Sequence, residues 1–360
     1  EVLKMVNIRY AISLNSYQQW LSTTIAEDVS QETVADVMEH LDSLQGINIE
    51  EESLRRYTDS YCFANIIGYT GQISQEEYDS LSEQEDYALT DTVGKSGLEQ
   101  VMDSYLKGQK GSETLYVNSV GRVIDRVKSK EEKAGNDLYL TIDARYNYTA
   151  YEALGGKSGT VAVYNYKTGE ILCMVSAPSY DPLNVPEDIT TNDRYKGAYL
   201  NRFLSSTFTP GSVYKTVTLA AALEDIPDLA DRTWTCSGSV QMGDETIICS
   251  GTHGEQDIAS AFANSCNVAF VNIGQRIGEE RFYDYAEAFG FFERTGDSSA
   301  QLTGTTGIDL GGESGSIWWS EDVFCNPENL SQLAAASFGQ TFNITPIQLI
   351  TAVSACVNGG

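Results

Sequence analysis

A proline and a glycine, Pro210-Gly211, interrupt the chain immediately before a long run of helix-forming residues. Proline fixes φ and glycine permits a positive φ, so the pair predicts a sharp turn and then a helix over about residues 213–224. Ser212 stands at the head of this helix, and Lys215 follows it by three residues. The chain must therefore fold so that a serine begins a helix and a lysine follows one turn later.

Two interpretations of Ser212 fit this local pattern. A serine at a helix N-terminus ordinarily caps the helix by accepting a hydrogen bond from a backbone N–H. Alternatively, residues i and i+3 lie on one helical face, so the Lys215 amine can approach the Ser212 hydroxyl. A desolvated lysine can remove the serine proton, and the helix N-terminus favours negative charge at an acylating centre. The local pattern alone favours the cap.

A second polar triplet, Ser265-Cys266-Asn267, lies later in the chain. Its hydroxyl could relay a proton, and its amide could hold a substrate peptide group. Ser-x-Asn alone occurs in many loops, but the order Pro-Gly-Ser-x-x-Lys and then Ser-x-Asn is specific and favours a nucleophilic serine. Cys266 is interpreted as a buried packing thiol, because its spacing to His253 resembles no cysteine-protease signature.

Composition excludes several function classes. The 360 residues include 51 Asp+Glu and 23 Lys+Arg, a formal net charge of -28, which repels nucleic acid and anionic lipid. Hydrophobic residues make up 41% and charged residues 21%, as in soluble globular proteins. No apolar run approaches the ~18 residues that span a bilayer. The length predicts two or three domains.

A charged stretch with helix breakers, residues 128–137, makes the best domain boundary and divides residues 1–137 from residues 138–360. A short strand over residues 138–142 and a hairpin turning at residues 166–169 are predicted at the start of the second part. Further helices are predicted over about the following residues: 30–44, 97–107, 257–264, 279–289 and 329–337.

Seven cysteines and two histidines are the candidate metal ligands. No Cys-x-x-Cys pair occurs, so the sequence predicts no structural zinc site. Cys236 and Cys249 flank a short stretch with the composition of a hairpin, and both a disulfide and two free buried thiols fit this pair. The odd number of cysteines leaves at least one thiol without a partner in this chain.

The ordered motifs are those of penicillin-binding proteins and class A β-lactamases. The chain resembles a class B penicillin-binding protein, a peptidoglycan D,D-transpeptidase of the penicillin-binding protein 2 or sporulation–division type. Long blocks carry the resemblance in the family's order: "RRYTDSYCFANIIGYTGQI", "VYNYKTGEILCMVSAPSYDP", "NRFLSSTFTPGSVYKTVTLAAALE" and "SFGQTFNITPIQLITAVSACVNGG". One small departure is Thr341, where the family commonly has glycine.

The resemblance implies an α+β fold. Residues 138–360 would form a transpeptidase domain of the serine β-lactamase-like type, with a central antiparallel sheet flanked by helices, behind a non-catalytic, dimerisation-type pedestal at residues 1–137. It assigns the nucleophile to Ser212, the general base to Lys215, proton relay to Ser265 and binding of the substrate amide to Asn267. The Ser212 backbone N–H would supply half of the oxyanion hole. No metal or organic cofactor is implied.

The family's third motif, Lys-Thr/Ser-Gly, follows the Ser-x-Asn, whereas the triplet Lys167-Thr168-Gly169 precedes the nucleophile. The flanks of this triplet match an early hairpin of the family, so we interpret it as a turn. We expect the true third motif and the C-terminal strands beyond Gly360, and we expect a chain that stops there to be catalytically impaired. A Lys-Thr/Ser-Gly after Gly360 would discriminate an enzyme from a non-catalytic scaffold.

By resemblance, the protein would cross-link stem peptides that end in D-Ala-D-Ala, and β-lactams would trap its serine. Two alternatives to the transpeptidase function are a non-catalytic scaffold or sensor and a serine β-lactamase. The pedestal-like region and the lack of a glutamate-bearing deacylation loop disfavour the β-lactamase. The resemblance implies an anchor helix ahead of this chain, a location on the outer face of the bacterial membrane, and contacts with a membrane-embedded glycan polymerase and other cell-wall assembly proteins.

Overall fold

A computed structural model describes most of the chain and divides it into two compact units, Glu1–Arg55 and Arg56–Gly360. The described residues are 5–6, 8–10, 24–26, 28–41, 43–44, 46–47, 49, 55–81, 87–88, 91–117, 123–294 and 304–360. Within these residues, no helix combines the length and the apolar character needed to cross a membrane.

Among the described residues of the first unit, the helix α1 spans Gln31–Glu39. Ser30 caps it, because its hydroxyl accepts a hydrogen bond from the Thr33 backbone N–H. The predicted helix is confirmed, although it ends five residues before the predicted end at residue 44. None of its residues is buried, so α1 presents its polar and apolar side chains to the surface.

The second unit begins with short helices and two antiparallel strand pairs, β1 with β2 and β3 with β4. Their bounds are α2 Ala64–Ile67, β1 Thr70–Gln72, α3 Gln75–Leu81, β2 Thr92–Gly94, α4 Gly97–Val101, α5 Asp103–Leu106, β3 Ser112–Val117 and β4 Val123–Lys130. The helix predicted over residues 97–107 is thus two short helices. The Asp103 carboxylate accepts hydrogen bonds from the Tyr87 hydroxyl and the Gly94 amide, which holds the start of α5 against β2.

The later part of the second unit is mainly helical. Its elements are α6 Ala144–Leu154, β5 Gly159–Tyr164, β6 Ile171–Ala177, α7 Arg202–Ser205, α8 Lys215–Asp225, β7 Trp234–Cys236, β8 Ser239–Met242, β9 Glu245–Ile248, β10 Gly254–Gln256, α9 Ile258–Ala263, α10 Asn267–Ile277, α11 Glu279–Ala288, α12 Glu321–Phe324, α13 Leu330–Ala336 and α14 Pro346–Asn358. The strands pair antiparallel, β5 with β6, β8 with β9, and β7 with β10. This mixture of helices and antiparallel strands confirms the predicted α+β class.

Residues on both sides of residue 137 share one apolar cluster. Ile66 of α2 packs there with Met174 of β6, Phe203 of α7 and Ile347 of α14. The buried Asn147 amide adds a polar link, because it bonds both the backbone of Met174 and the carbonyl oxygen of Cys62. Residues 56–360 therefore fold as one unit, and the domain boundary at residue 137 stays a prediction.

The β5–β6 hairpin confirms the turn interpretation of the Lys-Thr-Gly triplet. Gly169 has φ +81°, and its N–H donates to the carbonyl oxygen of Asn165. The helix α6 also begins as expected, because Asp143 accepts a hydrogen bond from the Arg145 N–H. The strand predicted over residues 138–142 is wrong: this segment is irregular and bonds its neighbour β6 only through single contacts near its end, so no ladder forms.

The largest core cluster surrounds α8 and α10 and is rich in aromatic rings. Tyr214 is fully buried within it, with ring centroids 4.8 Å from Phe342 and 5.4 Å from Phe291. The other buried rings of the cluster are Trp234, Phe282, Tyr283, Phe292, Trp318 and Phe324. Because Tyr214 lies between Ser212 and Lys215 in the chain, this cluster anchors the turn that carries the first motif.

Thr341 has φ +73°, a conformation that a β-branched residue rarely adopts. This explains physically why glycine suits the position. The Trp319 indole N–H donates to the Thr341 carbonyl oxygen at 2.6 Å, and the adjacent Phe342 ring packs on Tyr214. The surrounding contacts therefore hold the strained backbone in place.

We predict that Thr341→Gly stabilises the protein by about 0.5–1 kcal/mol. The left-handed conformation costs roughly 1–2 kcal/mol for a non-glycine residue, and glycine offsets part of that gain through the greater entropy of its unfolded chain. Thr341 is exposed, so few side-chain contacts are lost. Urea denaturation would measure the change, with Thr341→Ala as a control that keeps the strain and gains little. A destabilised glycine variant would contradict the prediction.

Candidate active site

Ser212 lies inside a 3₁₀ turn, Gly211–Tyr214, that leads directly into α8. The turn begins at Pro210, and Gly211 adopts φ +59°, as the Pro-Gly break predicts. No side-chain capping bond exists at the start of either helix, so Ser212 does not act as an N-cap. Its side chain is exposed and lies next to Lys215 instead.

Lys215 is the centre of the polar cluster. Its side chain is 1% exposed, and its Nζ has four oxygen neighbours. The distances from Nζ are 3.2 Å to Ser212 Oγ, 2.9 Å to Ser265 Oγ, 2.7 Å to the Ser265 carbonyl oxygen and 2.7 Å to Asn267 Oδ1. The structure thus brings all four sequence-predicted site residues together around one amine.

The chemistry of these neighbours determines what the amine can do. The Ser265 carbonyl and Asn267 Oδ1 can only accept hydrogen bonds, whereas the two hydroxyls can donate or accept. A neutral lysine amine has two N–H groups and one lone pair. If both N–H groups serve the obligate acceptors, the lone pair remains for a hydroxyl proton. The arrangement therefore suits an amine that receives a proton from a serine.

The second motif lies between α9 and α10. Ser265 has φ +51°, and its N–H bonds the Phe262 carbonyl, so a strained turn points its carbonyl and hydroxyl at Lys215. Asn267 is the first residue of α10. Its Nδ2 donates to the carbonyl oxygen of Ile248 at 3.1 Å, which fixes the amide with Oδ1 toward Lys215.

Burial lowers the pKa of Lys215 from the ordinary 10.5, because the charged form is desolvated. A thiolate at Cys249 or Cys266 would oppose this shift, because it favours the charged amine. Burial raises the pKa of the Cys266 thiol. Cys266 is the buried N-cap residue of α10. Because the pKa of Lys215 is lowered, its neutral amine is populated at a lower pH than that of a lysine in water.

Besides the nucleophile turn and the second motif, residues 338–344 also adjoin the site. Sequence reasoning did not assign this segment to it. The Gly211 N–H donates to the Gly339 carbonyl at 2.9 Å, and a Cβ at Gly339 would lie 2.0 Å from the Gly211 carbonyl oxygen. Thr209 Oγ1 donates to Asn343 Oδ1 at 2.8 Å. Only glycine fits at position 339, because the two backbones touch.

The cysteines are all free thiols in the structure. The β8–β9 hairpin confirms the predicted turn between Cys236 and Cys249, and no disulfide joins these two residues. Cys266 is fully buried, and its Sγ accepts a hydrogen bond from the Ala269 N–H as the N-cap of α10. Sequence reasoning missed this capping role, since cysteine is an uncommon cap.

Two families match the chain. Residues 2–140 match the family described as "Penicillin-binding Protein dimerisation domain", and residues 159–360 match "Penicillin binding protein transpeptidase domain".

Relatives with curated names agree with these matches. Stage V sporulation protein D of Bacillus subtilis is 32% identical over 330 residues, which cover 88% of this chain and 45% of that protein. Peptidoglycan D,D-transpeptidase MrdA of Acinetobacter baumannii is 25% identical over 387 residues, covering 98% of this chain and 53% of that protein. The chain therefore spans about half the length of the curated relatives it matches.

A solved structure shares the fold. The complex between penicillin-binding protein PBP2 and MreC from Helicobacter pylori contains a chain that aligns with a TM-score of 0.79 at 21% identity, covering 99% of this chain and 70% of that one. This likeness shows the fold, and the two family matches establish that the chain belongs to the class B penicillin-binding proteins, with a dimerisation domain followed by a transpeptidase domain.

Proposed function

We propose that the protein is a serine D,D-transpeptidase that cross-links peptidoglycan stem peptides ending in D-Ala-D-Ala. One observation carries the proposal: the buried Lys215 amine lies within hydrogen-bonding distance of Ser212, Ser265 and Asn267. Such a cluster joins a nucleophile, a base and a second hydroxyl in one place. The names of relatives such as the D,D-transpeptidase MrdA are consistent with this chemistry.

In the acylation step, Ser212 Oγ attacks the carbonyl carbon of the penultimate D-alanine. Its proton passes to the lone pair of Lys215 as the new C–O bond forms. The Ser212 backbone N–H binds the oxyanion of the tetrahedral intermediate. The intermediate collapses when the C–N bond breaks, and the departing D-alanine amine takes the proton by way of the Ser265 hydroxyl. The products are an ester on Ser212 and free D-alanine.

In the second step, the amine of a neighbouring stem peptide attacks this ester. The same base accepts the proton of the amine, and Ser212 leaves as an alkoxide that is protonated by Lys215. Asn267 binds the peptide amide of the acyl donor and so orients the carbonyl carbon toward Ser212. β-Lactams enter the first step as acyl donors, but their leaving group stays tethered, so the acyl-enzyme persists.

The proposal extends to location, partners and domain organisation. The protein would act on the outer face of the bacterial membrane, with a membrane-embedded glycan polymerase and other assembly proteins as partners. The solved complex of PBP2 with MreC from Helicobacter pylori supports such assemblies for this fold. We place the domain boundary at residue 137, supported by family matches that end at residue 140 and resume at residue 159.

We predict that benzylpenicillin forms a stable adduct with the full-length protein and that Ser212→Ala abolishes it. The expected mass increase equals one intact drug molecule, because ring opening adds the whole β-lactam to Ser212. Intact-mass spectrometry would measure it. Ser206→Ala, a change at another serine before the nucleophile turn, serves as the matched control and should keep the adduct.

The outcomes separate the alternatives. An adduct that forms on the wild type and on Ser206→Ala, but not on Ser212→Ala, supports the transpeptidase chemistry. Rapid consumption of the drug without a lasting adduct would indicate a β-lactamase instead. No adduct on the full-length protein would overturn the proposed function and favour a non-catalytic scaffold.

We also predict that the acylation rate rises with pH and levels off below pH 10.5. Lys215 acts as a base only when it is neutral, and burial lowers its pKa from the ordinary 10.5. The rate is therefore low at acidic pH and increases as the pH passes through the lowered pKa. Adduct formation followed over time at a series of pH values would give the profile, and Lys215→Met should lose nearly all acylation. A rate that falls with increasing pH would refute the role of Lys215 as the base.

A further inference from the structure

Three thiols and one imidazole meet next to the second motif, and the proposed reaction uses none of them. We call Cys236, Cys249, His253 and Cys266 the thiol cluster. Their donor atoms all lie within 4.8 Å of one another. The three sulfurs are buried, and His253 is half-buried at the edge. Four side chains that ligate soft metals thus converge from three separate segments of the chain.

The distances within the thiol cluster match a tetrahedral metal site. A zinc ion with Zn–S bonds of about 2.3 Å and a Zn–N bond of about 2.0–2.1 Å separates two sulfurs by about 3.8 Å and a sulfur from a nitrogen by about 3.5 Å. Cys249 Sγ lies 3.8 Å from Cys266 Sγ and 3.6 Å from His253 Nδ1. These two edges are those of a zinc tetrahedron.

We propose that the thiol cluster binds one structural zinc ion. Three thiolates and an imidazole form a complete set of four protein ligands, which is the composition of closed structural sites rather than of catalytic ones. Sulfur ligands also select zinc over magnesium and calcium, which prefer oxygen. Simple packing of free thiols would not call for an imidazole nitrogen among them.

This inference departs from the expectation drawn from the sequence. That expectation relied on the absence of a Cys-x-x-Cys pair, but a site assembled from separate segments needs no such pair. The local spacing that hints at it is that of Cys249 and His253, which have three residues between them in one loop. The other ligands come from the end of β7 and the start of α10.

The position of the cluster suggests what the ion does. Cys266 stands between Ser265 and Asn267, and its Sγ caps α10. Cys249 directly follows β9, whose last residue, Ile248, accepts the hydrogen bond from Asn267 Nδ2. An ion that joins these two sulfurs would hold the second motif and its backbone partner in register with Lys215.

The site can be tested without any assay of catalysis. The full-length protein would be purified without chelator, and its zinc content would be measured by plasma mass spectrometry. We expect one zinc per chain, lost in Cys249→Ser and in His253→Ala. Matched controls are Cys356→Ser and His40→Ala, which change the same residue types outside the cluster and should keep the ion.

A gain-of-ligand variant keeps the test decisive if the loss variants do not fold. His253→Cys should retain one ion, and after cobalt substitution its sulfur-to-metal charge-transfer absorption should be stronger than that of the wild type. Absence of metal from the reduced wild-type protein would overturn the proposal. So would retention of zinc by both loss variants, or a Cys249–Cys266 disulfide found by mass mapping of the unreduced protein.

The positioning effect on the second motif rests on the proposed function, so it is measured separately. Removal of zinc with a chelator should slow benzylpenicillin acylation by roughly tenfold or more, and added zinc should restore it. Equal rates with and without zinc would refute the positioning effect. If zinc binds but no sample forms an adduct, the proposed function fails while the metal site stands.

Discussion

The buried amine of Lys215 is the interaction on which the rest of the site depends. Removing a lysine amine from water is costly unless hydrogen bonds replace the lost solvent, and here four oxygen atoms surround it. Two of those oxygens, the Ser265 carbonyl and Asn267 Oδ1, cannot donate. These two acceptors orient the N–H groups of the amine, so the nitrogen lone pair is left to face the hydroxyl groups. Burial and orientation together suit this side chain to the proposed role of a base.

Strained or crowded backbone positions lie in the segments around this site. Ser265 and Thr341 both have positive φ, although neither is glycine, and they lie in the two segments that flank the nucleophile turn. Gly339 touches the Gly211 backbone, which leaves no room for a side chain. Strained or crowded positions concentrate near functional sites because the surrounding packing can hold them there. In this protein the aromatic cluster around Tyr214 supplies that packing.

The sequence predicted the parts of the site that depend on local spacing. Ser212 and Lys215 lie one turn apart, so their approach follows from helix geometry. The meeting of Lys215 with Asn267 could be expected only from the resemblance, because nothing local joins α8 to α10. The strand predicted over residues 138–142 failed for a related reason: alternating residues indicate a strand only where a partner strand lies alongside. The approach of Gly339 to the site also depends on a tertiary contact that no spacing reveals.

The thiol cluster shows the same limit from the other side. Its four ligands lie on three segments that are separate in sequence, and only the fold of β7, β9 and α10 brings these segments together. Those segments also carry Asn267 and the carbonyl that orients it, so the cluster and the catalytic motif share one scaffold. Lys215 is anchored by the aromatic core, whereas its partners on α10 are anchored through Cys266. Both anchors belong to the same core cluster, so a loosening of that core would separate the Lys215 amine from its acceptors.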